Sequence, residues 1–362
     1  WYHGASVSEL QSILPLIEKF EKNKKIKQIL VTSNTLSSSK IIRKYKFKKL
    51  VHQFFPIDTN FLSKKFIDYW KPSNVFFIDS EIWPNTIYNL EKRDIPIILL
   101  NGRITQQSFN RWKLIISFAK NIFSKFSLCL SSSVESKNRL KNLGASKVKL
   151  IGNLKFSQYE KESDLISHKL KKFLRSKKTW CASSTHEEEE IFCGIVHKKL
   201  KKKYKNLLTI VIPRHIERTK IIEEDLKKLN LKTYLHESGE KIKQDTDIYI
   251  VNSYGKTKSF YNNCNNVFLG GSLVNRGGQN PLEATNYGCN IIHGPNVSNF
   301  KEIYKFLKLQ KVSIRVNNQE QLMSAVDKIL KKKPNSKKIQ HKLNSMGQKI
   351  LDKTYKEITS FL

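Results

Sequence analysis

Glycine is scarce in this 362-residue chain, with only 14 residues. Loops that let backbone N–H groups close around a ligand can therefore form only where those few glycines gather. Five of them fall within residues 268–288, FLGGSLVNRGGQNPLEATNYG. Cysteine is scarcer. Cys129, Cys181, Cys193, Cys264 and Cys289 form no CxxC pair and no His-paired zinc spacing. An odd, scattered set inside apolar runs excludes a disulfide framework and reads as reduced core thiols of a cytosolic protein. No apolar run approaches the roughly 18 residues of a spanning helix, and no signal-peptide pattern is present. Acidic residues are short too: 31 Asp and Glu face 66 Lys and Arg, a net charge of +35. That excess fits an AT-rich coding bias with charge spread over solvated faces, a nucleic-acid partner, or an anionic membrane surface. Charge alone does not choose among them.

What is present is alternation. Short apolar runs at residues 1–3, 28–32, 50–54, 75–78, 97–101, 127–130 and 148–152 are separated by amphipathic helical stretches such as 7–20 and 134–143. A second series follows at 179–183, 207–212, 233–236, 248–252, 267–269, 290–293 and 312–315. This is the α/β signature, and two successive Rossmann-like domains are the economical architecture. The expected division is 1–157, a charged linker at 158–178, 179–334, and a basic helical segment at 335–362. The chain opens at Trp1 inside a strand pattern, so a segment upstream is expected.

In such sheets ligands bind beyond the carboxyl ends of strands, so those loops hold the candidate sites. After the strand ending at Leu269, Gly270, Gly271, Ser272, Gly277 and Gly278 allow backbone to approach an anion, Pro281 starts a helix that Asn280 caps, and Glu283 follows within its first turn. A carboxylate there fits a ribose diol. PRH (213–215) puts Arg214 at a strand end, suited to phosphate or carboxylate. In CASSTHEEEE (181–190), capping accounts for much, leaving Ser184 and His186 as ligand contacts. FIDSEIWPN (77–85) presents Asp79 and Glu81, a possible general base or helix-start acids. WYHGASVSE (1–9), with Ser6 and Glu9, and VTSNTLSSSK (31–40) suit a polyol or phosphate acceptor, although N-capping explains much of each. Asp245 and Asp247 form an Asp-x-Asp, but they precede a strand and lie at the wrong sheet edge for a metal site.

WYHGASVSE, SEIWPN, LLNGRI, GNLKF, ASSTHEEEE, PRHIER and LGGSLVNRGGQNPLEATNYGCNIIHGPNVSNF together resemble the 3-deoxy-D-manno-octulosonic acid (Kdo) transferases of lipopolysaccharide core assembly, from residue 1 to about 300. The resemblance implies an α/β, GT-B architecture: two Rossmann-like domains facing each other across a cleft. It implies CMP-Kdo as donor, a lipid A precursor (lipid IVA) as acceptor, inversion, no metal or other cofactor, no nucleic acid, and an anionic membrane surface at the cytoplasmic face of the inner membrane. Carried over, Ser184, Arg214, Gly255, Gly271, Ser272, Gly277, Gly278, Asn280 and Glu283 hold the donor. Ser6, Glu9, Asn101 and Arg103 lie on the acceptor side, and Arg214 and Glu81 are catalytic candidates. The family's general base and a membrane-anchoring helix are expected upstream of Trp1. The chain departs from the family at Ser8 (Gly there), at Gln279 (His there) and at residues 252–256, Asn-Ser-Tyr-Gly-Lys in place of Asp-Thr-Met-Gly-Glu. The competing readings are another GT-B nucleotide-sugar transferase or epimerase, and a basic nucleic-acid-binding protein.

Overall fold

Each of the fourteen apolar runs forms a strand in the computed structural model, which describes residues 1–157, 166–236, 242–331 and 336–361. The first seven are β1 (Tyr2–His3), β2 (Ile29–Ser33), β3 (Leu50–Phe54), β4 (Val75–Ile78), β5 (Ile97–Gly102), β6 (Leu128–Ser131) and β7 (Val148–Leu150). They make one parallel sheet in the order β3-β2-β1-β4-β5-β6-β7. The second seven are β8 (Lys178–Thr185), β9 (Leu207–Pro213), β10 (Thr233–Leu235), β11 (Ile248–Ile250), β12 (Asn266–Leu269), β13 (Asn290–His293) and β14 (Ser313–Arg315). Their sheet is also parallel, in the order β10-β11-β9-β8-β12-β13-β14.

Strand β4, VFFI, is apolar along its whole length because both faces of the sheet are covered. In β4, Phe76 and Ile78 point into a core shared with Leu10, Ile13 and Ile17 of the helix Val7–Glu21. Val75 and Phe77 point the other way, toward Ile87 and Phe123. The strand period of two thus divides one run between two cores.

The chain separates into two compact units, Trp1–Tyr159 with Asn344–Leu362, and Glu160–Leu343. Two parts differ from the linear reading. Within the stretch expected as a linker, the helix His168–Arg175 buries Leu170, Phe173 and Leu174 in the second unit's core, while residues 158–165 lie outside the described residues. The C-terminal segment forms a single helix, Ser336–Thr359, whose Ile350, Leu351 and Ile358 complete the first unit's core beside Leu10 and Phe20. Among the described residues no helix is long and apolar enough to cross a membrane.

Candidate active site

In a doubly wound sheet the strand order reverses at one point, and the loops leaving the strands on either side of it splay apart to make room for a ligand. In the first unit that point lies between β1 and β4. His3 ends β1, in register with Thr32 and Phe77, and is fully buried. Its Nε2 lies 3.2 Å from Glu81 Oε2, and the same oxygen accepts the Trp83 Nε1–H at 2.9 Å. On the far side, His3 Nδ1 is 3.0 Å from Thr32 Oγ1, which accepts from Trp1 Nε1 at 2.8 Å. The Thr32 hydroxyl also donates to Tyr2 O at 3.3 Å, so it is the Glu81 carboxylate, which can only accept, that calls for the ring proton on Nε2. Burial lowers the His3 pKa and the Glu81 carboxylate opposes that shift.

Beside Glu81 sits a second carboxylate with a different duty. Asp79, buried, receives Lys155 Nζ at 2.8 Å on one oxygen and the Asn101 amide on the other. Asn101 Oδ1 in turn accepts Leu154 N at 2.9 Å, and Asp79 O accepts Arg103 N at 2.9 Å. Both Asp79 (φ 58°) and Asn101 (φ 54°) are left-handed, a conformation that persists in non-glycine residues only where surroundings over-determine it. Ser6 and Glu9 form a capping box: Ser6 Oγ accepts Glu9 N, and the Glu9 carboxylate accepts Ala5 N at 2.8 Å and the Ser6 hydroxyl at 2.8 Å. Burial raises the Glu9 pKa, and the charges of Asp79 and Glu81 add to that rise. The residues assigned to the acceptor side do converge on one sheet edge. There Ser6 and Glu9 bond each other, whereas the Asn101 side chain bonds Asp79 and Leu154 N.

In the second unit the reversal lies between β8 and β12. The glycine-rich loop does approach this edge closely, but its amides are already used. Gly271 N, Ser272 N and Leu273 N donate to the buried Glu189 carboxylate at 2.7, 3.1 and 3.0 Å, and His186 N joins them at 3.0 Å. A Cβ on Gly270 would stand 2.7 Å from Glu189 Oε2 and 2.6 Å from Ser184 O, which is why glycine stands there. Ser272 is fully buried, and its hydroxyl bonds Leu269 O and Gly294 N. The expected contact between these amides and a bound anion gives way to an internal carboxylate. Gly277 (φ 79°) has no room for a side chain because Asn299 Nδ2 would lie 2.6 Å from its Cβ, and Gly278 N donates to Gly271 O at 2.9 Å. The two loops are laced together.

Cations surround this edge. Arg214 follows β9, its N–H donating to Thr185 O at 3.0 Å, and its side chain is exposed, as is that of Arg276. Arg218 pairs with buried Glu190 at 3.0 Å. Burial lowers the His186 pKa, and Arg276, His215, Arg214 and Arg218 depress it further. Ser184 is left-handed (φ 54°) at a register shift between β8 and β9. Gly255 (φ 82°) lies in the loop after β11, where Tyr254 Oη donates to Glu217 at 2.9 Å. Asn280 Oδ1 accepts Leu282 N at 3.1 Å, a turn leading into the helix, but Pro281 holds the N-cap position and the helix is only Leu282–Asn286. One turn and a half stacks few peptide dipoles, so positive charge here comes from side chains. Glu283, half-buried, stands 3.7 Å from Lys258 Nζ; burial raises its pKa and Lys258 opposes this.

At the opposite, amino edge of the sheet, Asp245 pairs with Lys232, and Asp247 takes Lys201 and lies 3.4 Å from His197 Nε2. The turn reading of that Asp-x-Asp therefore has a structural basis. Sequence reasoning passed over His3, Lys155, Glu189 and Arg276. Lys155 is one basic residue among 66, and Glu189 one of four consecutive glutamates. The only signal for either was its place just beyond a strand end.

The profile of a family described as 3-Deoxy-D-manno-octulosonic-acid transferase (kdotransferase) matches residues 1–158. The chain is 34% identical to the 3-deoxy-D-manno-octulosonic acid transferase of Rickettsia felis, over 100% of this chain and 79% of that protein. It is 29% identical to the one from Haemophilus influenzae, over 96% of this chain and 82% of that protein. Among solved structures, the UDP-GlcNAc 2-epimerase from Neisseria meningitidis bound to UDP-GlcNAc superposes with a TM-score of 0.63, over 99% of this chain and 98% of that one. At 10% identity this is a likeness of fold alone.

Proposed function

The chain belongs to the 3-deoxy-D-manno-octulosonic acid (Kdo) transferase family, and from that premise we propose that it moves Kdo from CMP-Kdo to a primary hydroxyl of a lipid A precursor (lipid IVA), with inversion. The observation that carries the reading is the uncompensated positive charge at the β8–β9–β12 edge. There Arg214 and Arg276 are exposed and make no ion pair among the described residues, and the same unit offers the Glu283 carboxylate for a ribose diol.

The acceptor oxygen loses its proton to a carboxylate and bonds to the anomeric carbon of Kdo. The bond from that carbon to the phosphate oxygen breaks, and CMP leaves with the electron pair. Arg214 stabilises the charge that gathers on the departing phosphate. Glu81 steers the acceptor hydroxyl: its Oε2 is fixed by His3 and Trp83, which orients the carboxylate before substrate arrives. Arginine side chains supply the positive charge, and Asp245 and Asp247 are engaged with lysines, so the reaction needs no divalent metal. The basic stretches at residues 169–178 and 198–205 face anionic head groups at the cytoplasmic side of the inner membrane.

The test is transfer by the purified chain from CMP-Kdo to lipid IVA, followed by mass spectrometry of the lipid and by CMP release, with and without EDTA. Addition of Kdo to the lipid, unchanged turnover in chelator, and a fall of at least about 10-fold for Glu81→Gln are expected. Transfer from a uridine donor in place of CMP-Kdo, or loss in EDTA restored by magnesium, would overturn the reading.

A further inference from the structure

The glycine loop raises a question that its sequence hides. Backbone N–H groups gathered by left-handed glycines form a nest that binds anions. Here a nest is built at the carboxyl end of β12 and filled from within, by a carboxylate contributed 82 residues earlier in the chain. Four N–H groups converge on Glu189, which is fully buried, and the Gly270 backbone passes too close to it to admit a side chain. An external anion has no amides left to take in that nest. Nor does the neighbouring helix offer them, since Leu282–Asn286 is a turn and a half long and its first N–H belongs to Asn280.

Side chains crowd the same place. The His186 ring lies over the loop, its Cδ2 and Nε2 3.1 and 3.2 Å from where a Gly271 Cβ would be. Its Nε2 is screened from water and has no hydrogen-bond partner among the described residues. Such an atom costs stability unless a ligand completes it. Arg276, on the loop that Glu189 fastens, also lies against the Gly271 Cβ position, at 3.4 Å. Arg214 leaves the adjacent strand end. Of the cations near His186, Arg218 has a carboxylate of its own, whereas Arg214 and Arg276 have none among the described residues.

We infer that the phosphate of the donor is recognised by side chains, His186 and Arg276 together with Arg214, and that Glu189 is the positioning residue that fastens the loop presenting them. This deepens the donor assignment above and rests on it. Glu189 turns an anion-binding loop into a platform: it consumes the amides, fixes Gly271 beneath His186, and sets the direction in which Arg276 leaves the loop.

The experiment is calorimetric titration of the full chain and its variants with CMP and with cytidine, the pair differing only in the phosphate. Arg276→Gln and His186→Gln should each weaken CMP about 10-fold or more and leave cytidine within about twofold, as loss of one charge-assisted contact implies. Glu189→Gln, whose amide can accept at one oxygen only, should weaken CMP more than cytidine, because the loop carrying Arg276 is released. A residue with a merely structural role would move both ligands alike. Arg276 is exposed, so its variant folds and keeps the test decisive if Glu189→Gln does not. The inference falls if Arg276→Gln and His186→Gln bind CMP as the unaltered chain does, or if Glu189→Gln binds CMP more tightly, as a freed nest would. Should the unaltered chain bind neither CMP nor cytidine, the donor assignment falls and takes this inference with it; CMP binding with indifferent variants removes the inference alone.

Discussion

At the carboxyl edge of the first sheet a buried lysine, Lys155, holds the carboxylate of Asp79; at that of the second a buried carboxylate, Glu189, holds four backbone N–H groups. Both edges lie where the strand order reverses, and both are tied down by a buried ionic group. What they leave facing outward is opposite. The first edge presents Glu81, oriented by His3 and Trp83; the second presents Arg214 and Arg276. Under the proposed function, one topology serves a hydroxyl acceptor, which a carboxylate orients, and an anionic leaving group, which positive charge stabilises. In each case the buried ion does not do the chemistry. It fixes the loops that present it.

The sharpest way to break this comparison is Lys155→Met. Removing one partner of a buried pair leaves the buried Asp79 carboxylate without its counter-charge, held by the Asn101 amide, at a cost of about 3–5 kcal/mol. Urea unfolding should show that loss, with the double variant Asp79→Asn, Lys155→Met much closer to the unaltered protein. A single variant within about 1 kcal/mol of the original would mean that the first edge has no ionic clasp.

Glu283→Gln should come next. It removes a charged acceptor from a ribose hydroxyl and is expected to cost about 1.5–3 kcal/mol in CMP binding, with little change in the unfolding midpoint. Equal CMP affinity would remove Glu283 from the site. Ser6→Ala tests whether the hydroxyl-rich loop after β1 is a cap before it is a ligand site. Loss of the capping box should lower stability by about 1 kcal/mol, and a rise in acceptor KM of about 10-fold or more would restore Ser6 as a direct contact.

The smallest effect is a pH slope. Burial holds the Glu189 carboxyl above its usual range, with the four N–H donors opposing. A raised pKa in the folded state means that this group favours folding when protonated, and that its contribution declines as pH rises from the unfolded value, about 4.3, through the folded one. The stability difference between the unaltered chain and Glu189→Gln should therefore shrink from pH 4 to pH 7. Asp247 has the opposite sign. Burial would raise its pKa, but hydrogen bonds from His197, Lys201 and the Lys232 N–H outweigh that and hold it well below the carboxylate range. Its stabilisation is present above about pH 4 and lost on acidification below it. Unfolding midpoints for Glu189→Gln and Asp247→Asn across pH 3–7 should diverge in that sense; parallel curves would contradict both assignments.

The sequence alone determined the strands, because a parallel sheet covered on both faces demands continuous apolar runs, and runs such as VFFI at 75–78 and LLTIVIP at 207–213 are unmistakable. It also determined where to look, since loops leaving strand ends follow from strand positions, and Asp79, Glu81, Arg214 and the glycine loop all lie there. Tertiary structure decided the rest. The order of strands placed β11 between β10 and β9, and the C-terminal helix returned to the first unit; neither is written in local periodicity, which encodes burial but not the partner. It selected Glu189 from four adjacent glutamates and Lys155 from a lysine-rich background, through contacts spanning 82 and 76 residues of chain. Such pairings depend on which strand ends the sheet brings side by side, and only the folded sheet fixes that.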